Sequence, residues 1–352
     1  KNMKTIMKTL LVSIASLSLM FSVNAGELTV NGTAKATYNA VSGASADNGV
    51  GVTNELNFTA SGEMDNGYTW SYSMELDPST SGTNGDKTGS APGQAINDDT
   101  QITLKMNDMG TVKFCVSECG NNKKYAWDQS AYTSMSDTGY SEGIVYPDDM
   151  GSYASIQYHT PELPFGITGS VAHGNPKKDG QSGNTTATGG NSATEFSLTI
   201  APIDGLTLTG SFMEQNLYTD GTINNGQKEQ NGAYAITYAV GNLTAGYGKS
   251  YKAPEIDVLS AGATQVEFYE NTGFSIGYAV NDELSISYAN EVGERNFQTS
   301  STTTYDIEMD SVQVAYSLGG ATLSLARAEY ENAGFIQNHD VSETIIAMSF
   351  AF

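Results

Sequence analysis

The sequence predicts an all-β chain, a transmembrane antiparallel β-barrel of about sixteen strands with short turns at one rim and long loops at the other. The final residues alternate strictly, Ile346, Met348, Phe350 and Phe352 against Ala347, Ser349 and Ala351. A period of two places the apolar set on one face of a strand and the small set on the other. Chain ends of soluble domains usually fray, whereas the last strand of a barrel pairs with the first and turns a face to lipid. Alternating runs of this kind recur along the whole chain, and the connections between them alternate short and long. The opposing expectation, an ordinary closing strand of a soluble sandwich, explains the last run but not the rhythm of the connections.

The first element is not a strand. Lys1, Lys4 and Lys8 precede an apolar stretch from Leu10 to Phe21, followed by Val23-Asn24-Ala25. A basic start, a short apolar centre and a small residue at the exit predict a secretory signal peptide over residues 1–25, cut after Ala25, with translation starting at Met3 or Met7. An apolar stretch of about 12 residues is too short to cross a bilayer as a helix. Residues 26–352 are then one mature unit whose fate is periplasmic, secreted or membrane-inserted.

Composition selects among these. The leader takes three lysines and no acid, so the mature chain carries 39 acidic residues against 13 basic ones, a formal charge near −26. Nucleic acid is excluded as a partner, because its recognition needs a basic footprint. The 38 glycines suggest disorder, but disordered chains lack aromatics, and this chain has 20 tyrosines, many at alternate positions in apolar runs. A membrane barrel has this balance, polar on average with one lipid-facing side and aromatic belts.

The strands follow in order. Leu28, Val30, Gly32, Ala34, Ala36 and Tyr38 share one face, with Thr29, Asn31, Thr33, Lys35 and Thr37 on the other. The same register, apolar or small outward and polar inward, returns at Tyr68–Leu76 and Ile102–Met106, then at 196–200, 206–212, 234–240, 274–280, 284–288 and 312–318. No helical period of comparable length occurs. Tight turns are expected at 65–67, 107–110, 161–166, 202–205, 241–242, 281–283 and 319–320, rich in Asn, Asp, Gly and Pro. Long Gly/Ser/Thr/Asn-rich loops are expected at 42–53, 78–98, 119–150, 175–192, 218–230, 252–264, 296–305 and 332–339. Residues 265–271 fit either a strand or a loop. A repeat solenoid would show a fixed spacing, and these spacings vary.

The turn Asn107-Asp108-Met109-Gly110, the Thr111-Val112-Lys113-Phe114 after it, the longest loop that follows and the terminal Ser349-Phe350-Ala351-Phe352 resemble the trimeric general porins of the Gram-negative outer membrane. The resemblance implies a homotrimer in the outer membrane, in contact with lipid and lipopolysaccharide. It implies a third long loop folded into the lumen to set a constriction, and a terminal aromatic pair, Phe350 and Phe352, read by the barrel insertion machinery. It further implies passive diffusion of small hydrophilic solutes and ions, with no enzymatic reaction, no cofactor and no metal. A substrate-selective nutrient channel, for example for sugars, and a plugged structural or adhesive barrel are the alternatives. One departure is plain: such porins carry several arginines on the wall facing the loop, and this chain has only Arg295 and Arg327.

Three histidines, at 159, 173 and 339, stand on separate elements, without a nucleophile elbow or a paired-histidine metal motif. Parity turns Lys35, Lys105 and Lys113 into the lumen. The long loop carries Asp128, Asp137, Glu142, Asp148 and Asp149, with Lys123 and Lys124 as its only bases. Acids facing bases across a narrow aqueous eyelet set up a transverse field, and the sign in excess predicts cation preference. Cys115 and Cys119 both fall on the inward parity. Extended, they would stand ~13 Å apart at ~3.3 Å per residue. An oxidising compartment favours a disulfide if the chain bends at Ser117-Glu118; two free thiols are the other expectation.

Overall fold

The protein is described here from a computed structural model, which covers residues 26–43, 48–78, 95–116, 119–134, 143–150, 153–176, 192–215, 226–256, 265–299 and 302–352. The expected signal peptide lies outside the described residues. The first strands are β1 (Leu28–Ser42), β2 (Gly49–Glu63), β3 (Thr69–Pro78), β4 (Ala95–Lys105) and β5 (Thr111–Cys115). The next are β6 (Tyr153–His159), β7 (Thr168–Pro176), β8 (Ala193–Ile203), β9 (Leu206–Gln215), β10 (Gln230–Val240) and β11 (Leu243–Ala253). The last are β12 (Val266–Ala279), β13 (Leu284–Phe297), β14 (Ile307–Leu318), β15 (Ala321–Glu331) and β16 (Val341–Ala351).

Each strand pairs antiparallel with its neighbours in sequence, and β1 pairs with β16, so the sixteen close into one barrel. Thr33 lies opposite Ala351 and Ser42 opposite Ser342. Just beyond, Gly32 and Phe352 exchange two backbone hydrogen bonds of 2.8 and 3.0 Å. Closure leaves no unpaired edge, which satisfies backbone groups that lipid cannot.

The alternation works as expected. On β14 the inward Met309, Ser311 and Gln313 are buried, while the outward Val312 and Tyr316 are exposed. Outward aromatics and aliphatics recur around the barrel, among them Phe196, Tyr234, Tyr247, Phe274, Tyr288, Leu325 and Met348. Nearer the long-loop rim the outer face turns polar. Lys228 pairs with Glu214 at 2.7 Å, Lys249 pairs with Glu270, and Arg327 pairs with Glu329 at 3.1 Å.

Strands run further into the expected loops than composition suggested. Gly49–Thr53 pairs with β1 and belongs to β2. Ala95–Asp98 belongs to β4, across a bulge opposite Ser73 and Glu75. Gly, Asn and Asp are poor strand formers, but a ready partner strand outweighs propensity. The ambiguous stretch is resolved likewise: β12 begins at Val266, with a bulge before Phe268.

Candidate functional site

The connection between β5 and β6 is the longest in the chain, and its described residues 119–134 and 143–150 lie inside the barrel. Its path is set by lumen-facing side chains that bond its main chain. Leaving β5, the loop has the Cys119 carbonyl held by Gln157 Nε2 of β6 at 2.7 Å. The Asn121 N–H then donates to Glu195 of β8 at 2.9 Å, and the Lys123 N–H to Ser211 of β9 at 2.9 Å. The N–H groups of Gln129 and Ala131 donate to Ser275 of β12 and Ser287 of β13, at 2.9 and 2.8 Å. Those of Tyr132 and Thr133 share the Gln313 carbonyl of β14 at 3.0 Å each. Returning, the loop offers the Val145 carbonyl to Asn271 and the Asp148 N–H to Asn231, both at 2.9 Å. Asn271 stands four residues nearer the long-loop rim than Ser275 on the same strand, so the return pass runs above the outward one. Among the described residues, hydrogen bonds between the loop and the wall reach β6 and β8–β14. The sector β1–β5 is left facing it across the lumen.

Side chains seal what the main chain starts. Trp127 is 2% exposed. Its indole N–H donates to the Lys124 carbonyl at 3.1 Å, and its own carbonyl accepts from Ser275 Oγ at 2.7 Å. The ring sits against wall glycines: a Cβ at Gly273 would meet it at 2.2 Å, and one at Gly248 at 2.8 Å. At Gly246 a Cβ would fall 1.8 Å from the Trp127 carbonyl oxygen. Only residues without a Cβ admit this approach. Trp127 and Ile144 join Ala235, Ala289, Met309, Ala328 and Tyr330 in an apolar cluster under the loop. Met150 packs with Ala172, Ala193 and Met213 in a second cluster. The Tyr146 hydroxyl donates to buried Glu291 at 2.7 Å. Burial, then the neighbouring Glu291 carboxylate, hold this phenol well above the usual tyrosine range, so it remains a donor at any physiological pH.

The charged groups divide. Asp148 pairs with Lys252 of β11 at 2.8 Å, and Asp149 with Lys124 at 3.4 Å. Burial opposes the Asp148 charge, but hydrogen bonds from Glu229 and Lys252 outweigh it and hold the carboxyl below the ordinary range. Its neighbour Glu229 moves the other way, pushed up to about 7 by burial and by its hydrogen bond with Asp148. The Asp128 carboxylate accepts from the Ser130 N–H and hydroxyl at 3.0 and 2.6 Å, a local turn. Asp137 and Glu142 lie outside the described residues. Lys35, Lys105 and Lys113 face the lumen from β1, β4 and β5, and among the described residues no carboxylate comes within the 4.0 Å of an ion pair. The structure therefore brings Lys105 and Lys113 together on adjacent strands, leaves Lys35 apart on β1, and ties Asp148 and Asp149 to loop and wall bases of their own.

Neither arginine occupies the wall opposite the loop. Arg327 turns outward to Glu329 and Thr344, and Arg295 stacks on Phe335 and Phe297, 4.5 and 5.0 Å from the ring centroids. Cys115 and Cys119 are joined in a disulfide at the root of the loop, their Cα atoms 6.1 Å apart, well short of the ~13 Å of an extended chain. His159 faces the lumen at the end of β6 and contacts Gln157. His173 and His339 bond Thr194 and the Ala333 carbonyl, away from each other.

Sequence reasoning missed the wall that grips the loop. The signal was present. On β10–β15 many inward positions are small, Ala233, Ala235, Gly246, Gly248, Gly273, Ala289, Ala326 and Ala328 among them, interspersed with the Ser, Asn and Gln that bond the loop. A wall in contact with water would be polar there, as β1 is.

A family model described as Gram-negative porin matches residues 10–332. No curated protein matches the chain by sequence. OmpF of Salmonella typhi, solved in complex with daunomycin, superposes with a TM-score of 0.71 at 12% identity, covering 94% of this chain and 98% of that one. The anion-selective porin from Comamonas acidovorans gives 0.64 at 12% identity, over 93% and 100%. OmpT of Vibrio cholerae lacking its loop L8 gives 0.62 at 12%, over 93% and 100%. At such identities the likeness speaks for the fold alone.

Proposed function

This chain belongs to the Gram-negative porins, β-barrel channels of the outer membrane, and we propose that it passes small hydrophilic solutes and ions by passive diffusion, with a preference for cations. The observation that carries the reading is the loop's one-sided attachment. Held by its main chain to β6–β14, it narrows the lumen from one side and leaves an aqueous passage against β1–β5. The cation preference rests on the acid excess of the chain, 39 against 16 basic residues. The wall facing the loop contributes little to it, because by parity Glu55, Glu63 and Glu75 there equal Lys35, Lys105 and Lys113 in number without pairing with them. Asp128, Asp137, Glu142, Asp148 and Asp149 are proposed as the loop's share of the constriction field, muted at Asp148 and Asp149 by their ion pairs.

Residues 1–25 are proposed as a cleaved signal peptide. Three copies are proposed to associate, β1 offering the flat outward face of Gly32, Ala34 and Ala36. The outward charges near the long-loop rim are proposed to meet lipopolysaccharide, and Phe350 and Phe352 to serve the insertion machinery. Reversal potentials across a planar bilayer in a salt gradient test the ion preference. Cation selectivity at low ionic strength, where screening is weakest, is the expected result, and anion selectivity overturns it. Large ohmic steps without solute block are expected. Block by a sugar would instead favour a selective channel, and silence a plugged barrel.

A further inference from the structure

The short-turn ends of β3–β6 carry a feature that runs against the composition of the chain. Lys105 closes β4 and lies opposite Thr111 of β5, which in turn lies opposite His159, the last residue of β6. Lys113 stands one lumenal step above Thr111, between Thr103 and Gln157. It is therefore a diagonal neighbour of both Lys105 and His159, at about 7–8 Å across an antiparallel ladder. Lys113 feels the charge of Lys105, and His159 feels those of Lys113 and the loop's Lys123. In a chain with 39 acidic and 16 basic residues, these bases converge on one patch.

No carboxylate pairs with them at close range. Among the described residues Lys105, Lys113 and Lys123 have no ion-pair partner, whereas Lys124, Lys228, Lys249 and Lys252 each hold one. The nearest acid in the Lys105 row is Glu63, beyond Thr69 and two strands away. Like charges set side by side repel, and an anion between them would relieve the repulsion. Beside Lys105 lies a recess of about 310 Å³ lined by Ser61, Gly62, Thr69, Trp70, Ser71 and Lys105. Parity turns the hydroxyls of Ser61, Thr69 and Ser71 to the lumen. His159 is oriented as well. Gln157 gives its Nε2 to the Cys119 carbonyl and presents Oε1 at 3.0 Å to His159 Nε2, which must donate.

We propose that this patch is a binding site for a phosphate-class oxyanion, with Lys105 and Lys113 as the charged ligands and Thr69 and Thr111, which flank Lys105 on the adjacent strands, as hydroxyl donors. A tetrahedral oxyanion offers several acceptor oxygens, and ammonium and hydroxyl groups meet them as charge-assisted donors. The site rests on the channel reading above and refines it. Ion preference is set by the whole lumen, whereas this patch acts within a Debye length of about 8–10 Å.

The test is made on the full mature protein in planar bilayers, in potassium chloride with inorganic phosphate added at constant ionic strength. Phosphate is expected to block the current saturably, at lower concentration from the short-turn side than from the long-loop side. Lys105→Gln with Lys113→Gln is expected to raise the half-blocking concentration by roughly tenfold or more, as loss of two close charges implies. Lys228→Gln, on the outer face, should leave it unchanged. Heat-modifiable migration on gels confirms that each variant barrel is folded, and the single Lys105→Gln should give an intermediate value. A conducting channel in which phosphate acts no differently from chloride overturns the site and leaves the channel reading standing. So does a double variant that blocks like the native protein. If no ohmic current is seen at all, the channel reading falls and the site with it.

Discussion

Replacing Gly273 with Ala should lift the lumenal loop from the wall without unfolding the barrel. The added methyl would sit 2.2 Å from the Trp127 ring, more than 1 Å inside ordinary contact. The ring cannot yield alone, because its indole N–H and its carbonyl are both bonded, to Lys124 and Ser275. A buried tryptophan removes about 150–250 Å² from water, worth roughly 4–6 kcal/mol at ~25 cal/mol per Å². Overpacking by one methyl typically costs ~1–3 kcal/mol. Expelling the ring altogether therefore costs more than a partial shift, so the loop should move outward around Trp127 while its other anchors hold. The chain has only two tryptophans, and Trp70→Phe leaves Trp127 as the sole emitter. In that background Gly273→Ala should shift emission to the red, raise quenching by aqueous acrylamide several-fold and make single-channel current noisier. Gly49→Ala, where a Cβ meets nothing within 4 Å, should do none of this. Unchanged quenching and an unchanged open level in Gly273→Ala would refute the seating of Trp127 on this wall.

Other outcomes follow from the same structure. Replacing Cys115 and Cys119 by serine opens a ring spanning four residues of separation, worth about 2 kcal/mol in chain entropy; the barrel should still fold, with small loss of thermal stability and a noisier pore. Mass spectrometry of non-reduced peptides that found two alkylatable thiols would end the covalent claim. Deleting Phe352 removes two backbone hydrogen bonds to Gly32 at the seam between the first and last strands, and heat-modifiable barrel in the membrane should fall sharply; normal amounts count against the reasoning. Glu229, raised from 4.5 to about 7, stabilises the folded state while protonated; that contribution is complete below about 4.5 and lost as pH rises through about 7. Limited proteolysis of the loop should accelerate across that rise in the native protein and not in Glu229→Gln, and a flat native profile would contradict it.

The barrel was legible because lipid imposes a period on every strand. A residue such as Tyr238 or Val312 has only two directions to face, and its neighbours reveal which. The strand ends at Gly49 and Ala95 were not legible, since there pairing with an existing strand overrides weak propensity. Parity likewise turned Lys105 and Lys113 inward before any coordinates, but could not say that no acid would pair with them. The loop acids resisted for a different reason. Nothing local to Asp148 indicates Lys252, 104 residues away, which neutralises it. A loop side chain has no period, so its direction is decided by partners that only the closed barrel assembles.

The way the wall holds the loop bears on how such a channel can change. Serine, asparagine and glutamine of the barrel grip the loop almost entirely by its peptide groups, the N–H of Lys123, Gln129, Ala131, Tyr132, Thr133 and Asp148. Peptide groups are the same whatever residue carries them. Apart from the side-chain anchors Trp127, Tyr146 and Asp148, the loop's course is thus written mainly in the scaffold, and its other lumen-facing side chains are free to vary without rerouting it. Substitution at those positions would retune what passes, while the gauge of the opening stays with the wall.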